Sequence, residues 1–208
     1  MTAANSARGQ TGSVFPRHTF SAVLGAVTSA GRDNVEAFEY FRPGFDLERE
    51  RQLREEAGLG ERICHADLYS DVLPTLVALR ELDLWVGIAG NQTRRAAQLL
   101  RDLALPIDQI ATSGELGIAK PDPKFFDHIV EMASGSPKQI LYVGDHRDND
   151  IIPAKAAELR TAAIRRGPWG HLWAEDLSLR RAADWRLQSL SELPDILAAE
   201  ARALPATP

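Results

Sequence analysis

From Leu68 onward the chain repeats one pattern: a short apolar run, a glycine or polar turn, then a stretch with helical periodicity. The apolar runs are LWVGIAG at 84–90, Gln109 to Ser113, ILYV at 140–143, Thr161 to Arg165 and Trp185 to Leu187. Helical spacing fills the intervals: VLPTLVALREL after Asp71, Thr93 to Leu103, 122–133, Asn149 to Leu159, 171–183, and a closing helix after Ser191. Short strands separated by helices are too far apart in sequence to form hairpins, so they pair in parallel through crossovers, and a parallel sheet needs both faces covered. The pattern therefore predicts an α/β core over residues 66–200, a doubly wound parallel sheet with helices on both faces. Asp71 reads as the N-cap of the first core helix, with Pro74 in its first turn, and Ser191 as the cap of the last.

Residues 17–65 have a different texture. Phe20, Val23, Leu24 and Val27 fall at helical spacing, Phe38, Phe41 and Phe45 follow it loosely, and Leu47 to Ala57 reads as a charged helix ending at Gly58. Gly31 and Pro43-Gly44 interrupt the pattern and nothing alternates as a strand does, so this portion is expected to be a small helical subdomain. Residues 1–16 and 201–208 read as disordered tails, and the first lacks the apolar stretch of a secretory signal.

Composition narrows the function. A formal charge of −5 leaves no electrostatic footprint for nucleic acid. Cys64 is the lone cysteine, which excludes an intrachain disulfide, argues against a cysteine-based zinc site and suits a reducing cytoplasm. No run of about 18 apolar residues exists to span a membrane.

The chemistry concentrates in QILYVGDHRDNDIIPA, residues 139–154. Its apolar run ends at Gly144-Asp145, and Asp150 follows in the same loop. Acids at the carboxyl end of a parallel strand lie where open α/β sheets place their ligands. Two carboxylates suit a hard divalent ion such as Mg2+, which prefers oxygen donors and keeps several waters. Taken alone, the same acids would serve equally as a helix cap and first turn.

Three segments occur in one order: GIAGNQT at 87–93, GIAKPDPKFF at 117–126 and YVGDHRDND at 142–150. Together they resemble the second, third and fourth signatures of the haloacid dehalogenase-like hydrolase superfamily. The resemblance covers roughly residues 68–200, and the helical part before it is similar to that family's cap. It implies phosphoryl transfer, more rarely dehalogenation, through an aspartyl intermediate, on a small phosphorylated metabolite; a homodimer remains open. Lys120 would stabilise charge building in the transition state, unless it is a surface lysine before a turn. Asp145 and Asp150 would hold Mg2+, and Gly90, Asn91 and Lys120 would bind the phosphoryl group.

Two departures from the family pattern qualify that expectation. The second signature usually carries Ser or Thr where Gly90 stands, so one hydroxyl donor is missing; backbone N–H groups and the Asn91 amide remain, or Gly90-Asn91 simply turns the chain. The first signature, a strand ending in Asp-x-Asp or Asp-x-Gly, is not found before residue 68. In the family that strand lies between those at 84–89 and 139–143. Its omission would leave an interval of about 9–10 Å in the sheet. The expectation is then an incomplete relative of active enzymes, flanking strands that have closed up, or another segment in the gap. By function, the chain is an impaired phosphatase or a non-catalytic binding or interaction module. A receiver-like signalling module fits less well, because its acidic cluster would come early.

Overall fold

Residues 16–203 are described in the computed structural model, and they fall into two units, one ending at Arg62 and the next beginning at Ile63. In the first, helix α1 (Arg17–Ser29) buries Phe20, Val27 and Thr28, and the Thr28 hydroxyl donates to Leu24 O at 2.7 Å. Asp33 caps a short turn, Asn34–Phe38, by accepting from Val35 N. That turn brings Phe38 to Phe20 at 5.2 Å between ring centroids, with Phe45 stacked on Phe38 at 4.9 Å. Helix α2 (Leu47–Glu56), capped by Asp46, buries none of its residues. The aromatic cluster is thus the core of this unit, each pair contributing about 0.5–1.5 kcal/mol beyond its buried area.

The second unit alternates helix and strand: α3 (Val72–Glu81), β1 (Gly87–Gly90), α4 (Arg94–Asp102), β2 (Gln109–Thr112), α5 (Ser113–Leu116), α6 (Pro123–Ala133), β3 (Leu141–Gly144), α7 (Ile152–Ala156), β4 (Arg160–Ile164), α8 (Gly167–Leu172), α9 (Leu177–Ala182), β5 (Trp185–Leu187) and α10 (Leu193–Ala203). Every strand pair is parallel. The α/β class follows as the alternation requires, but the sheet does not run unbroken. β1 pairs with β2 alone among the described residues, while β3, β4 and β5 form a second sheet in that order. Among the described residues no strand lies between β1 and β3, so the runs at 84–89 and 139–143, expected in one sheet, contribute their strands to two.

Apolar packing nonetheless joins the two sheets. Phe125, Phe126 and Tyr142 pack with Ala111 of β2 and Leu159, and Leu79 of α3 packs with Ala162, Ile164, Leu187 and Leu193. Side chains from both sheets thus reach the same helical layers, although their hydrogen-bond ladders are separate.

Several boundaries differ from the sequence expectation for local reasons. Residues 84–86 are not strand, because Asp108 takes the strand partner's place: its carboxylate accepts from Val86 N at 2.7 Å and its N–H donates to Val86 O at 2.8 Å. The stretch 171–183 breaks into α8 and α9, since Asp176 starts a new helix by accepting from Leu179 N. The closing helix is led by Ser189, which accepts from Ser191 N, rather than by Ser191. α10 runs to Ala203, into the stretch expected as tail; residues 1–15 and 204–208 lie outside the described residues. Among the described residues no helix is long and apolar enough to cross a membrane.

Candidate active site

The carboxyl end of β3 is shaped by a glycine. A Cβ on Gly144 would stand 2.5 Å from Asp150 Cβ and Cγ, so only glycine lets the loop fold Asp150 back onto the strand. There Asp150 is 5% exposed. It accepts from His146 N at 3.0 Å, lies 3.5 Å from the Tyr142 hydroxyl, and pairs with Lys120 Nζ.

The loop continues as a wide helical turn, Arg147–Ile151, leading into α7. The helix expected to begin at Asn149 therefore starts with this wider winding, and His146 is its cap. The ring Nδ1 accepts from Asp148 N at 3.2 Å and Asn149 N at 3.0 Å. With Nδ1 an acceptor, the proton of the neutral ring sits on Nε2. Burial holds the His146 pKa below its ordinary value, which the Asp150 and Asp148 charges only partly oppose. Trp169 and Trp173 pack on the ring at 4.7 and 4.8 Å. Asp148 turns away to Arg147, which also bonds Asp176 at 3.0 Å.

Lys120 arrives from the other sheet. Asn91, just past β1, clasps its main chain twice: Asn91 Nδ2 donates to Lys120 O at 2.9 Å, and Lys120 N donates to Asn91 Oδ1 at 2.8 Å. The Asn91 amide, expected as a phosphoryl donor, is thus committed to fixing Lys120. Gly90 ends β1 opposite Thr112. The Lys120 ammonium, over the Tyr142 ring at 5.7 Å, reaches Asp150 with side chains only 11% and 7% exposed. Asp145 shares this environment. Burial, and then repulsion from Asp150, push its carboxyl up to about 6 against the pull of Lys120. Gly167 closes over it at φ +59°, where a Cβ would lie 2.8 Å from Asp145 Oδ2. Lys120, Asp145, Asp150 and Asn91 therefore converge on the carboxyl ends of β1 and β3.

A neighbouring network forms around RRGPWGH, residues 165–171. Asp71 does not cap α3 with its side chain. It accepts instead from Ser189 Oγ at 2.5 Å, from Leu190 N at 2.9 Å and from Arg166, and these bonds keep its carboxyl below the usual range despite burial. Arg166 in turn covers the Tyr69 ring at 4.3 Å.

A model of the family described as haloacid dehalogenase-like hydrolase matches residues 3–158. The chain belongs to this family. Among curated relatives, the glyceraldehyde 3-phosphate phosphatase of Methanopyrus kandleri is 31% identical over 135 residues, 62% of this chain and 56% of that protein. Phosphoglycolate phosphatase 1 of Pseudomonas aeruginosa is 34% identical over 49% of this chain and 38% of its own length. The chain spans about half the length of the curated relatives it matches, or less. A HAD phosphatase structure from Thermococcus onnurineus superposes with a TM-score of 0.57 at 22% identity, covering 86% of this chain and 88% of that one. The 2-haloacid dehalogenase of Pseudomonas syringae pv. Tomato DC3000 gives 0.54 at 24% identity, covering 95% and 85%. At those identities the likeness concerns the fold.

Proposed function

We propose that this hydrolase-family chain carries the phosphoryl- and Mg2+-binding part of a phosphatase site for small phosphate esters, in a reducing cytoplasm, and turns over little as it stands. The observation that carries the reading is the meeting of Lys120 with Asp150 beside a half-buried Asp145. Burial, and then repulsion from Asp150, raise the Asp145 pKa to about 6, and a hard divalent cation would relieve both the desolvation and the repulsion. Asp145 and Asp150 would be its protein ligands, and the ion would supply Lewis-acid stabilisation of a phosphate oxygen. Lys120, held by Asn91, contributes a fixed positive charge where negative charge accumulates.

What the described residues do not offer is a further acid at these strand ends. Among the described residues no group of three or more His, Cys, Asp or Glu gathers to hold a metal. With Asp145 and Asp150 committed to the cation, this cluster of described residues leaves no carboxylate to attack phosphorus. Covalent catalysis needs such a nucleophile. The catalysis that survives loss of a nucleophile, about 10³–10⁴ over water, is nearly invisible for phosphate monoesters. An aryl phosphate assay with Mg2+ is therefore expected at background, and equally so for folded Lys120→Met. Robust turnover that vanishes in Lys120→Met would refute the claim of low activity. A second reading, a non-catalytic binding module, is favoured by the break between the β1–β2 and β3–β4–β5 sheets at the site. Mg2+ binding without phosphoryl binding would support it.

A further inference from the structure

Beside the Asp145 loop lies a depression of about 340 Å³, rimmed by Tyr69, Arg165, Gly167, His171 and Gln188, with the Asp71–Arg166 pair in its wall. Arg165 follows the last residue of β4 and Gln188 the last residue of β5, so the depression opens at the carboxyl edge of the three-stranded sheet, where parallel sheets receive ligands. Its sign is positive. Asp71 and Arg166 neutralise each other, and Arg166 is further occupied by the Tyr69 ring. Arg165 is exposed, and among the described residues its side chain has no hydrogen-bond or ion-pair partner; the same holds for His171. The Arg165 main chain is nonetheless fixed, with its N–H donating to Leu187 O at 2.8 Å, so an uncommitted guanidinium is presented from a firm base. A guanidinium fork matches the paired oxygens of a carboxylate or phosphate.

Gly167 belongs both to this rim and to the Asp145 environment, where a Cβ would touch Asp145 Oδ2. The two sites therefore share a wall one residue thick. We infer that the depression binds a second, non-reacting anionic oxygen group of the substrate, with Arg165 as its principal contact and the Gln188 amide beside it. The preferred substrates are then short phosphate esters bearing a carboxylate or second phosphate, and Arg165 is a specificity-determining residue. This inference rests on the reading of the Asp145–Lys120 site as the phosphoryl site.

Titration calorimetry and NMR in Mg2+ buffer test it with three probes: glycolate, orthophosphate and 2-phosphoglycolate. The bifunctional probe is expected to bind at least about tenfold more tightly than either single anion, since it adds a charge-assisted contact. It should shift the Gly167 and Gln188 amides and the His171 ring. Arg165→Gln should reduce its affinity to that of orthophosphate while leaving orthophosphate binding unchanged. Lys138→Gln, an exposed cation before β3, is the control and should change nothing. If Arg165→Gln weakens orthophosphate as much as 2-phosphoglycolate, the depression is a free-phosphate site and the inference fails. It fails equally if 2-phosphoglycolate responds no more to Arg165→Gln than to Lys138→Gln. Failure of the phosphoryl reading looks different: orthophosphate would leave the Asp145 and His146 signals unmoved, while glycolate alone still shifted Gln188 and His171 in an Arg165-dependent way.

Discussion

Replacing Asp145 with Asn separates the charge of the site from its shape. An ordinary aspartate titrates near 3.8, and here burial and Asp150 carry the carboxyl up to about 6. The folded state thus binds this proton more tightly than the unfolded chain does. A tenfold change in that affinity is worth about 1.4 kcal/mol, so holding Asp145 ionised costs the fold about 3 kcal/mol above pH 6. The sign is fixed by linkage: this cost is absent below about pH 4, grows between about 4 and 6, and is constant above. Asn keeps the shape without the charge. Urea unfolding of both proteins in chelator, at about pH 4.5 and pH 7.5, should show the variant gaining roughly 1–3 kcal/mol on wild type between the two. Comparing the two proteins cancels the titrating groups that do not interact with Asp145. Saturating Mg2+ at the higher pH should narrow the difference by stabilising wild type alone. A variant whose advantage does not grow with pH would refute the argument that repulsion and burial strain this carboxylate.

Two further substitutions test the scaffold. Gly144→Ala forces a methyl into Asp150, and overpacking of this kind typically costs about 1–3 kcal/mol; an unchanged melting curve would mean the loop yields without strain. Asn91→Ala strips both side-chain bonds from the Lys120 main chain, with an expected loss of about 1–3 kcal/mol by chemical denaturation, and should release Lys120 amide protons to faster exchange.

How much of this was legible in the sequence depended on whether the signal was local. The parallel α/β class followed from apolar runs alternating with helical stretches, because strand period and helix period are both short-range. Motif context singled out Lys120, Asp145 and Asp150, which the structure brings together, whereas Asn91 was expected in a different role from the one its hydrogen bonds show. That amide was expected to face a ligand, yet its partner, Lys120, lies 29 residues away, a pairing no local pattern encodes. Asp71 misled in the same way. Its placement before a helix matches a cap, but its partners Arg166 and Ser189 are 95 and 118 residues distant. The break in the sheet was foreseeable as a gap between β1 and β3. Whether the strands would close it depended on side-chain packing, which favoured shared helical layers over a shared ladder.

That break has a consequence for how the chain assembles. β1 and β2 come from one uninterrupted stretch and β3, β4 and β5 from the next, so neither ladder needs a strand from the far half of the chain. Each can close its backbone bonds using nearby sequence alone, and short loops carry the smaller entropic penalty. Their union rests on side chains, such as Leu79 against Leu187 and Leu193, and not on a shared ladder. The connection between α6 and β3, around Ser134 to Ser136, becomes a natural seam, where a nick would sever the chain without cutting either ladder.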